Sequence, residues 1–140
     1  MALRASTLAL ACLCASPLAA QEDAAGKLTI ELNSVEPEQD NCRMSFVILN
    51  GHDDDIKSAV FEAVLFDIDG RVDRLTLFDF GALPASRPRV RQFVVPQLAC
   101  DQLARVLING AQTCETDVAR KDLCTKQLDL KSRIEIEVVG

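Results

Sequence analysis

The stretch that decides the fold runs from Ser58 to Phe78 and reads SAVFEAVLFDIDGRVDRLTLF. Two runs rich in β-branched and aromatic residues, Ser58–Phe66 and Arg71–Phe78, flank a short polar segment that ends in Asp69-Gly70. An Asp-Gly pair between two such runs predicts a tight β-hairpin, because glycine adopts a positive φ without steric cost. We therefore place an antiparallel hairpin at the centre of the predicted fold.

Five further runs around this hairpin are predicted as strands, which gives seven in all. They cover Lys27–Leu32, Arg43–Leu49, Val90–Val95, Leu103–Asn109 and Arg133–Val139. In the first run, Leu28, Ile30 and Leu32 alternate with other residues, the period of a half-buried strand. Seven short strands separated by turn residues are typical of an all-β fold, and we predict an immunoglobulin-like antiparallel β-sandwich. A small β-barrel is the alternative.

Three segments between these strands are predicted to lie outside the sheets. Val35–Asn41 is a polar connection that carries Pro37, and Gly81–Pro88 is a loop with two prolines. Thr113–Leu130 fits either a loop or a short helix over residues 117–128. The chain has no tryptophan and no tyrosine, so its core cannot be that of an antibody domain.

The first 20 residues are predicted to be a cleaved signal peptide. Arg4 supplies a positive charge, Leu8–Leu13 is an apolar run, and small residues precede Gln21. The apolar run is too short for a membrane span, which needs about 20 residues. A lipid anchor on Cys12 is the alternative, but Ala9 stands where that signal has a leucine-like residue. We expect a periplasmic protein in which residues 21–140 form a single domain.

The chain is acidic, with a net charge of −6 at pH 7 from 15 lysines and arginines and 21 aspartates and glutamates. Loss of residues 1–20 removes one arginine and no acid, which makes the net charge −7. An acidic domain repels nucleic-acid phosphates and anionic lipid head groups, so we expect no nucleic acid partner. Its field favours basic partners.

Four of the six cysteines lie after the predicted signal peptide: Cys42, Cys100, Cys114 and Cys124. An even number of cysteines in an exported chain predicts two disulfides. Four cysteines allow three pairings, of which we favour Cys42 with Cys100 and Cys114 with Cys124. A zinc site or a redox catalyst is disfavoured because the sequence contains no C-x-x-C motif. We therefore predict no metal and no cofactor.

One cluster of acidic residues is a candidate for a cation-binding site or a catalytic site. Asp53, Asp54 and Asp55 follow His52, the only histidine of the chain. Consecutive carboxylates point in different directions and do not easily converge on one Ca²⁺ ion, so a solvated loop is favoured. Histidine-dependent catalysis needs a nearby nucleophile and an orienting acid, which the sequence does not indicate.

Three alternating arginines form the candidate partner-binding site. Arg87, Arg89 and Arg91 would share one face if they all lay on a strand. With Arg71 and Arg74 they would form a basic patch that docks a carboxylate-rich partner. A solvent-facing sheet surface with scattered ion pairs is the other interpretation.

Residues 46–109 resemble the FxLYD-type immunoglobulin-like domains of bacterial envelope proteins. The likeness rests on a strand that ends at Asn50, the hairpin at residues 66–72, Leu83-Pro84, and the strand that contains Phe93. The chain is also similar to small exported proteins of Alphaproteobacteria whose function is uncharacterised, through residues 98–101 and 106–109. These resemblances imply a fold and an envelope location, and they carry no catalytic residues with them.

These observations together predict a protein that is not an enzyme. We expect a periplasmic, non-catalytic binding or interaction module with a protein partner, in the role of an accessory to an envelope complex. Its site would lie at a loop end or at an exposed sheet edge, where a partner strand can add. The alternative is a secreted protein inhibitor of a hydrolase, which would use a loop pinned by a disulfide.

Overall fold

A computed structural model describes residues 24–118 and 121–140, with the side chain of residue 121 excepted. The predicted signal peptide and residues 21–23 lie outside the described residues. Within the described residues there are eight strands: β1 (Leu28–Glu38), β2 (Asn41–Asn50), β3 (Ile56–Asp67), β4 (Val72–Leu83), β5 (Arg89–Val95), β6 (Leu103–Thr116), β7 (Leu128–Ser132) and β8 (Glu137–Val139). Two short 3₁₀ turns, Cys100–Gln102 and Lys121–Cys124, complete the regular structure of the described chain.

The strands form two four-stranded sheets that pack face to face. Sheet A has the order β5-β2-β1-β7, and sheet B has the order β4-β3-β6-β8. The predicted all-β sandwich is therefore confirmed. The prediction of purely antiparallel sheets was wrong at the two outermost pairs, because β7 runs parallel to β1 and β8 runs parallel to β6.

The central hairpin joins β3 to β4, as predicted from the sequence. Gly70 has a φ of 77°, and its N–H donates to the Asp67 carbonyl oxygen at 2.9 Å. The Asp67 carboxylate accepts hydrogen bonds from the N–H groups of Asp69 and Arg71 at 3.0 and 2.9 Å. An aspartate that bonds the backbone of its own turn stabilises that turn, so Asp67 and Gly70 define the hairpin together.

Several strands extend beyond their predicted ends. β1 continues through the predicted connection Val35–Asn41 to Glu38, β4 continues to Leu83, and β6 continues to Thr116. Pro37 is compatible with a strand here because β7 pairs only with Leu28–Leu32, so this part of β1 pairs with β2 on one side and forms a sheet edge on the other.

The region after β6 also differs from its prediction. The expected helix over residues 117–128 is reduced to the single turn Lys121–Cys124, and Leu128–Ser132 forms β7. Of the predicted strand Arg133–Val139, only the last three residues pair as β8. The Ser132 hydroxyl accepts a hydrogen bond from the Ile134 N–H at 3.3 Å, and this local bond turns the chain from sheet A towards sheet B.

The core lies between the sheets and is centred on aromatic side chains. Five of the six phenylalanines contact one another through their rings, with centroids 4.7 to 6.3 Å apart: Phe46, Phe61, Phe78, Phe80 and Phe93. The structure contains both disulfides, Cys42–Cys100 and Cys114–Cys124, in the pairing favoured from the sequence. The first joins β2 to the turn before β6, and the second joins β6 to the turn before β7.

Candidate interaction surface

The acidic loop after β2 meets the turn Lys121–Cys124 at one end of the sandwich. Residues of the two segments border a polar cavity of about 410 Å³. His52 lies in this cavity, and its Nε2 is 3.0 Å from the Leu123 carbonyl oxygen. Buried Asn50 holds the loop by donating to the Asp54 carbonyl oxygen at 2.9 Å and accepting from the His52 N–H at 3.1 Å. The histidine ring is therefore bonded to backbone, and this is not a nucleophile–base pair.

The three aspartates of this loop do not converge. Asp55 accepts a hydrogen bond from the Ala85 N–H at 2.7 Å, which ties it to the segment just after β4. Within the described residues, no group of three or more His, Cys, Asp or Glu side chains is placed to hold a metal ion.

Nearby, Asp117 accepts a hydrogen bond from Lys57, and this bond and the carboxylate charge raise the pKa of Lys57 above its ordinary value of 10.5.

The arginines proposed from the sequence are largely engaged with backbone. Arg89 and Arg91 lie on β5 and point to the same side of it, whereas Arg87 lies in the loop before that strand. Arg91 crosses from sheet A to sheet B, where it donates to the carbonyl oxygens of Phe80 and Ala82 at 2.8 and 3.2 Å. These contacts occupy two acceptors on the edge of β4, so an incoming strand cannot pair there without displacing Arg91.

Two further arginines of the proposed patch are also engaged. Arg74 donates to the carbonyl oxygens of Pro96 and Gln97 at 2.5 and 3.2 Å, again between the two sheets. Arg71 lies at the hairpin, 3.7 Å from a carboxylate oxygen of Asp69. The structure therefore spreads the five arginines over the β4–β5 side and the hairpin instead of gathering them on one sheet face.

The most distinctive surface of the described chain is the outer face of sheet B. On β4, Phe78 and Phe80 are buried against the core, so the alternating positions Leu75 and Leu77 point outward. Leu75 is 60% exposed and Leu77 is 49% exposed. Large exposed aliphatic side chains at consecutive outward positions of one strand are unusual on a surface that contacts only water.

The apolar character extends across all four strands of sheet B. Val64 on β3 pairs with Leu75 on one side and with Leu107 of β6 on the other. Leu107 pairs in turn with Val139 of β8. Since directly opposite residues share a face, these four side chains form one continuous row.

The next positions enlarge this row. Phe66 pairs with Val72, which is 54% exposed, and Phe66 is the one phenylalanine that lies outside the aromatic core. We call the whole set the outer stripe: Val64, Phe66, Val72, Leu75, Leu77, Leu107 and Val139.

Acidic groups border the outer stripe. Glu62 pairs in register with Leu77, and its carboxylate accepts a hydrogen bond from the Asn109 amide at 2.5 Å. Asp79 is exposed further along β4 and accepts from the Gly81 N–H at 2.9 Å. At the other border, Arg105 and Glu137 form an ion pair at 2.7 Å. Since the partners of Glu62 and Asp79 are neutral donors, the border formed by these two residues carries a net negative charge, whereas the charges of the Arg105–Glu137 border balance.

The outer face of sheet A is different and supplies an internal comparison. Its equivalent row contains Val90, Val47, Glu31 and Lys131, so charged side chains occupy two of the four strands. Glu31 is bonded to Arg133 at 2.8 Å. Val90 is as exposed as Leu75, at 60%, but it stands at one end of a mixed row. The continuous apolar row is therefore a property of sheet B.

The outer stripe is not among the sites predicted from the sequence. A signal was present, because the runs Val64-Leu65-Phe66 and Leu75-Thr76-Leu77-Phe78 place apolar residues on both faces of their strands. A strand that faces water on one side alternates apolar and polar residues. Apolar residues in both phases indicate that the second face is also covered.

Comparison of the chain with protein-family models, curated proteins and solved structures finds no match. None of the helical segments in the described ranges has the length and apolar character of a membrane-crossing helix.

Proposed function

We propose that this chain is a non-catalytic interaction module of the bacterial periplasm that binds a partner protein through the outer stripe. The observation that carries this proposal is the row Leu75–Val64–Leu107–Val139, an aliphatic row across all four strands of sheet B. Its end members Leu75 and Val139 are 60% and 39% exposed, Leu107 is partly exposed, and Val64 is buried between them at 7%. Covering a large aliphatic side chain contributes about 1.5–3 kcal/mol, so several of them supply a substantial part of a binding energy.

The chemistry of the remaining surface supports a binding role over catalysis. The single histidine is bonded to the Leu123 carbonyl oxygen, and Asp55 beside it accepts a hydrogen bond from the Ala85 N–H. A general base needs hydrogen-bond reach to a nucleophile or substrate proton. The outer stripe, by contrast, presents apolar surface for binding and contains no side chain suited to catalysis.

The two disulfides support the proposed compartment. Disulfides form and persist in oxidising compartments such as the periplasm, and both pairs here join separate elements of the sandwich. The likeness to FxLYD-type domains and to small exported proteins of Alphaproteobacteria favours the same location. The predicted signal peptide at residues 1–20 supplies the route.

Comparative affinity capture tests this function. The tagged chain is expressed in the periplasm as wild type, as Leu75→Ser/Leu77→Ser, and as the control Val90→Ser, whose substituted valine matches Leu75 in exposure. We expect a protein that is recovered with wild type and with the control but lost with the stripe variant. Equal recovery with all three chains contradicts the proposal.

The same capture separates the proposed module from an inhibitor. If the recovered protein is a hydrolase whose rate falls in proportion to added chain until the two are equimolar, the function is inhibition. If its activity is unchanged while the complex persists, the chain acts as an accessory. Circular dichroism of each variant checks that the sandwich is intact.

A further inference from the structure

We infer that the outer stripe receives a cationic amphipathic helix of the partner protein, one whose aliphatic stripe is flanked by lysine or arginine side chains. This inference rests on the proposed function and specifies the chemistry of the partner. Three observations lead to it: the length of the apolar row, the charge at its borders, and the hydrogen bonds already made at the neighbouring edge of sheet B.

The length of the row matches a short helix. Four strands at a spacing of about 4.8 Å place the outer side chains of the row over about 14 Å. A helix with apolar residues at positions i, i+4, i+7 and i+11 presents them over about 16 Å, since each residue rises about 1.5 Å. Three turns of an amphipathic helix are therefore enough to cover Leu75, Val64, Leu107 and Val139 together.

The charge at the borders of the outer stripe indicates which side chains should flank the apolar residues of that helix. The hydrogen-bond donors to the Glu62 and Asp79 carboxylates are the neutral Asn109 amide and the Gly81 N–H, not cationic side chains. Glu137 is the only one of the three acids that faces a cation in the described structure, Arg105 at 2.7 Å. Lysine or arginine side chains along the side of the apolar stripe that faces Glu62 and Asp79 would complement this border.

The same charges argue against a second copy of this chain as the occupant. Two identical faces related by an axis along their strands would bring Glu62 and Asp79 close to their own counterparts, and any second copy carries the same net charge of −6. Like charges placed together across an interface cost several kcal/mol. The acidic side chains of this border attract a cationic partner, whereas they repel a second copy of the chain.

The sheet edge beside the stripe favours a helix over an added strand. The Phe80 and Ala82 carbonyl oxygens on β4 already accept hydrogen bonds from Arg91. A strand that extended sheet B at this edge would compete with that guanidinium for its acceptors. A helix lying on the face needs none of these backbone groups.

Labelled model helices test the inference on the disulfide-bonded chain. The probes are two side-chain-stapled helices of about 15 residues with the same leucine stripe, one flanked by lysines and the other by glutamates, and binding is read by fluorescence anisotropy. We expect the leucine–lysine helix to bind and the leucine–glutamate helix to bind at least tenfold more weakly. The affinity of the leucine–lysine helix should fall as salt is added, because border charges contribute to it.

Variants of the chain show which face of the sandwich binds the leucine–lysine helix. Leu75→Ser/Leu77→Ser should weaken the leucine–lysine helix at least tenfold, and Glu62→Gln/Asp79→Asn should weaken it less and flatten the salt dependence. Val90→Ser, on the outer face of sheet A, should leave the affinity within twofold of wild type.

Three outcomes overturn the inference: no binding of the leucine–lysine helix, equal binding of both helices, or binding that the stripe variant does not weaken. Sedimentation that shows a dimer of wild type, dissociated by Leu75→Ser/Leu77→Ser, would make a second copy the occupant and overturn it as well. If capture of a partner still depends on the stripe while the model helices fail, the proposed function stands and only the helix is wrong.

Discussion

Removal of the two disulfides, one pair at a time, tests how each bond stabilises the sandwich. The variants are Cys42→Ala/Cys100→Ala and Cys114→Ala/Cys124→Ala. In each pair one cysteine is fully buried and the other is half-buried, so the packing lost is closely matched. The two bonds differ strongly in sequence separation, 58 residues for the first and 10 for the second.

The loop lengths set the expected magnitudes. On the chain-entropy model, the long bond contributes about 4.2 kcal/mol and the short bond about 2.7 kcal/mol to the free energy of unfolding. Because matched packing losses cancel in the comparison, Cys42→Ala/Cys100→Ala should be the less stable variant by about 1.5 kcal/mol.

Urea unfolding followed by far-ultraviolet circular dichroism measures this difference. The chain has no tryptophan and no tyrosine, so intrinsic fluorescence offers no comparable signal. The reduced wild type provides the limit in which both bonds are absent. If the short-bond variant is equally unstable or less stable than the long-bond variant, constraint of the unfolded chain is not the main source of the stabilisation.

Three further substitutions test contacts that hold the fold, each measured as a change in the free energy of unfolding. Asn50→Ala removes three hydrogen bonds of a side chain that is 1% exposed and should cost about 2–4 kcal/mol; a cost below about 1 kcal/mol would contradict its structural role. Gly51→Ala should destabilise strongly because its Cβ would lie 1.7 Å from the Ala24 carbonyl oxygen, whereas Gly70→Asn, in open space, should be nearly neutral. Arg91→Lys should cost about 1–2 kcal/mol by loss of the bonds to β4, and Arg89→Lys should cost little, because Arg89 donates to the carbonyl oxygen of its own neighbour Pro88.

Local features of the fold could be predicted from the sequence, and non-local ones could not. The β3–β4 hairpin depends on residues that are adjacent in the chain, so Gly70 and the flanking runs identify it. The parallel pairs β1–β7 and β6–β8 join segments about 100 and 32 residues apart, and no local pattern specifies their direction. The continuation of β1 past Pro37 likewise depends on where β7 ends.

The same difference between local and non-local features applies to the candidate site. Alternation along β5 correctly indicates that Arg89 and Arg91 share one side of a strand. It does not show that this side faces β4, where Arg91 meets two carbonyl oxygens. The outer stripe needs the register of four strands at once, because Leu75, Val64, Leu107 and Val139 come together only through pairing in sheet B.

Site-specific photo-crosslinking in the periplasm tests the central proposal most directly. A photoreactive amino acid replaces Leu75 in one chain and Val90 in another, two positions of equal exposure on opposite outer faces. We predict a discrete crosslink to a second protein from position 75 and none from position 90. The same products from both positions, or no product from position 75, would contradict the assignment of the outer stripe as the binding surface.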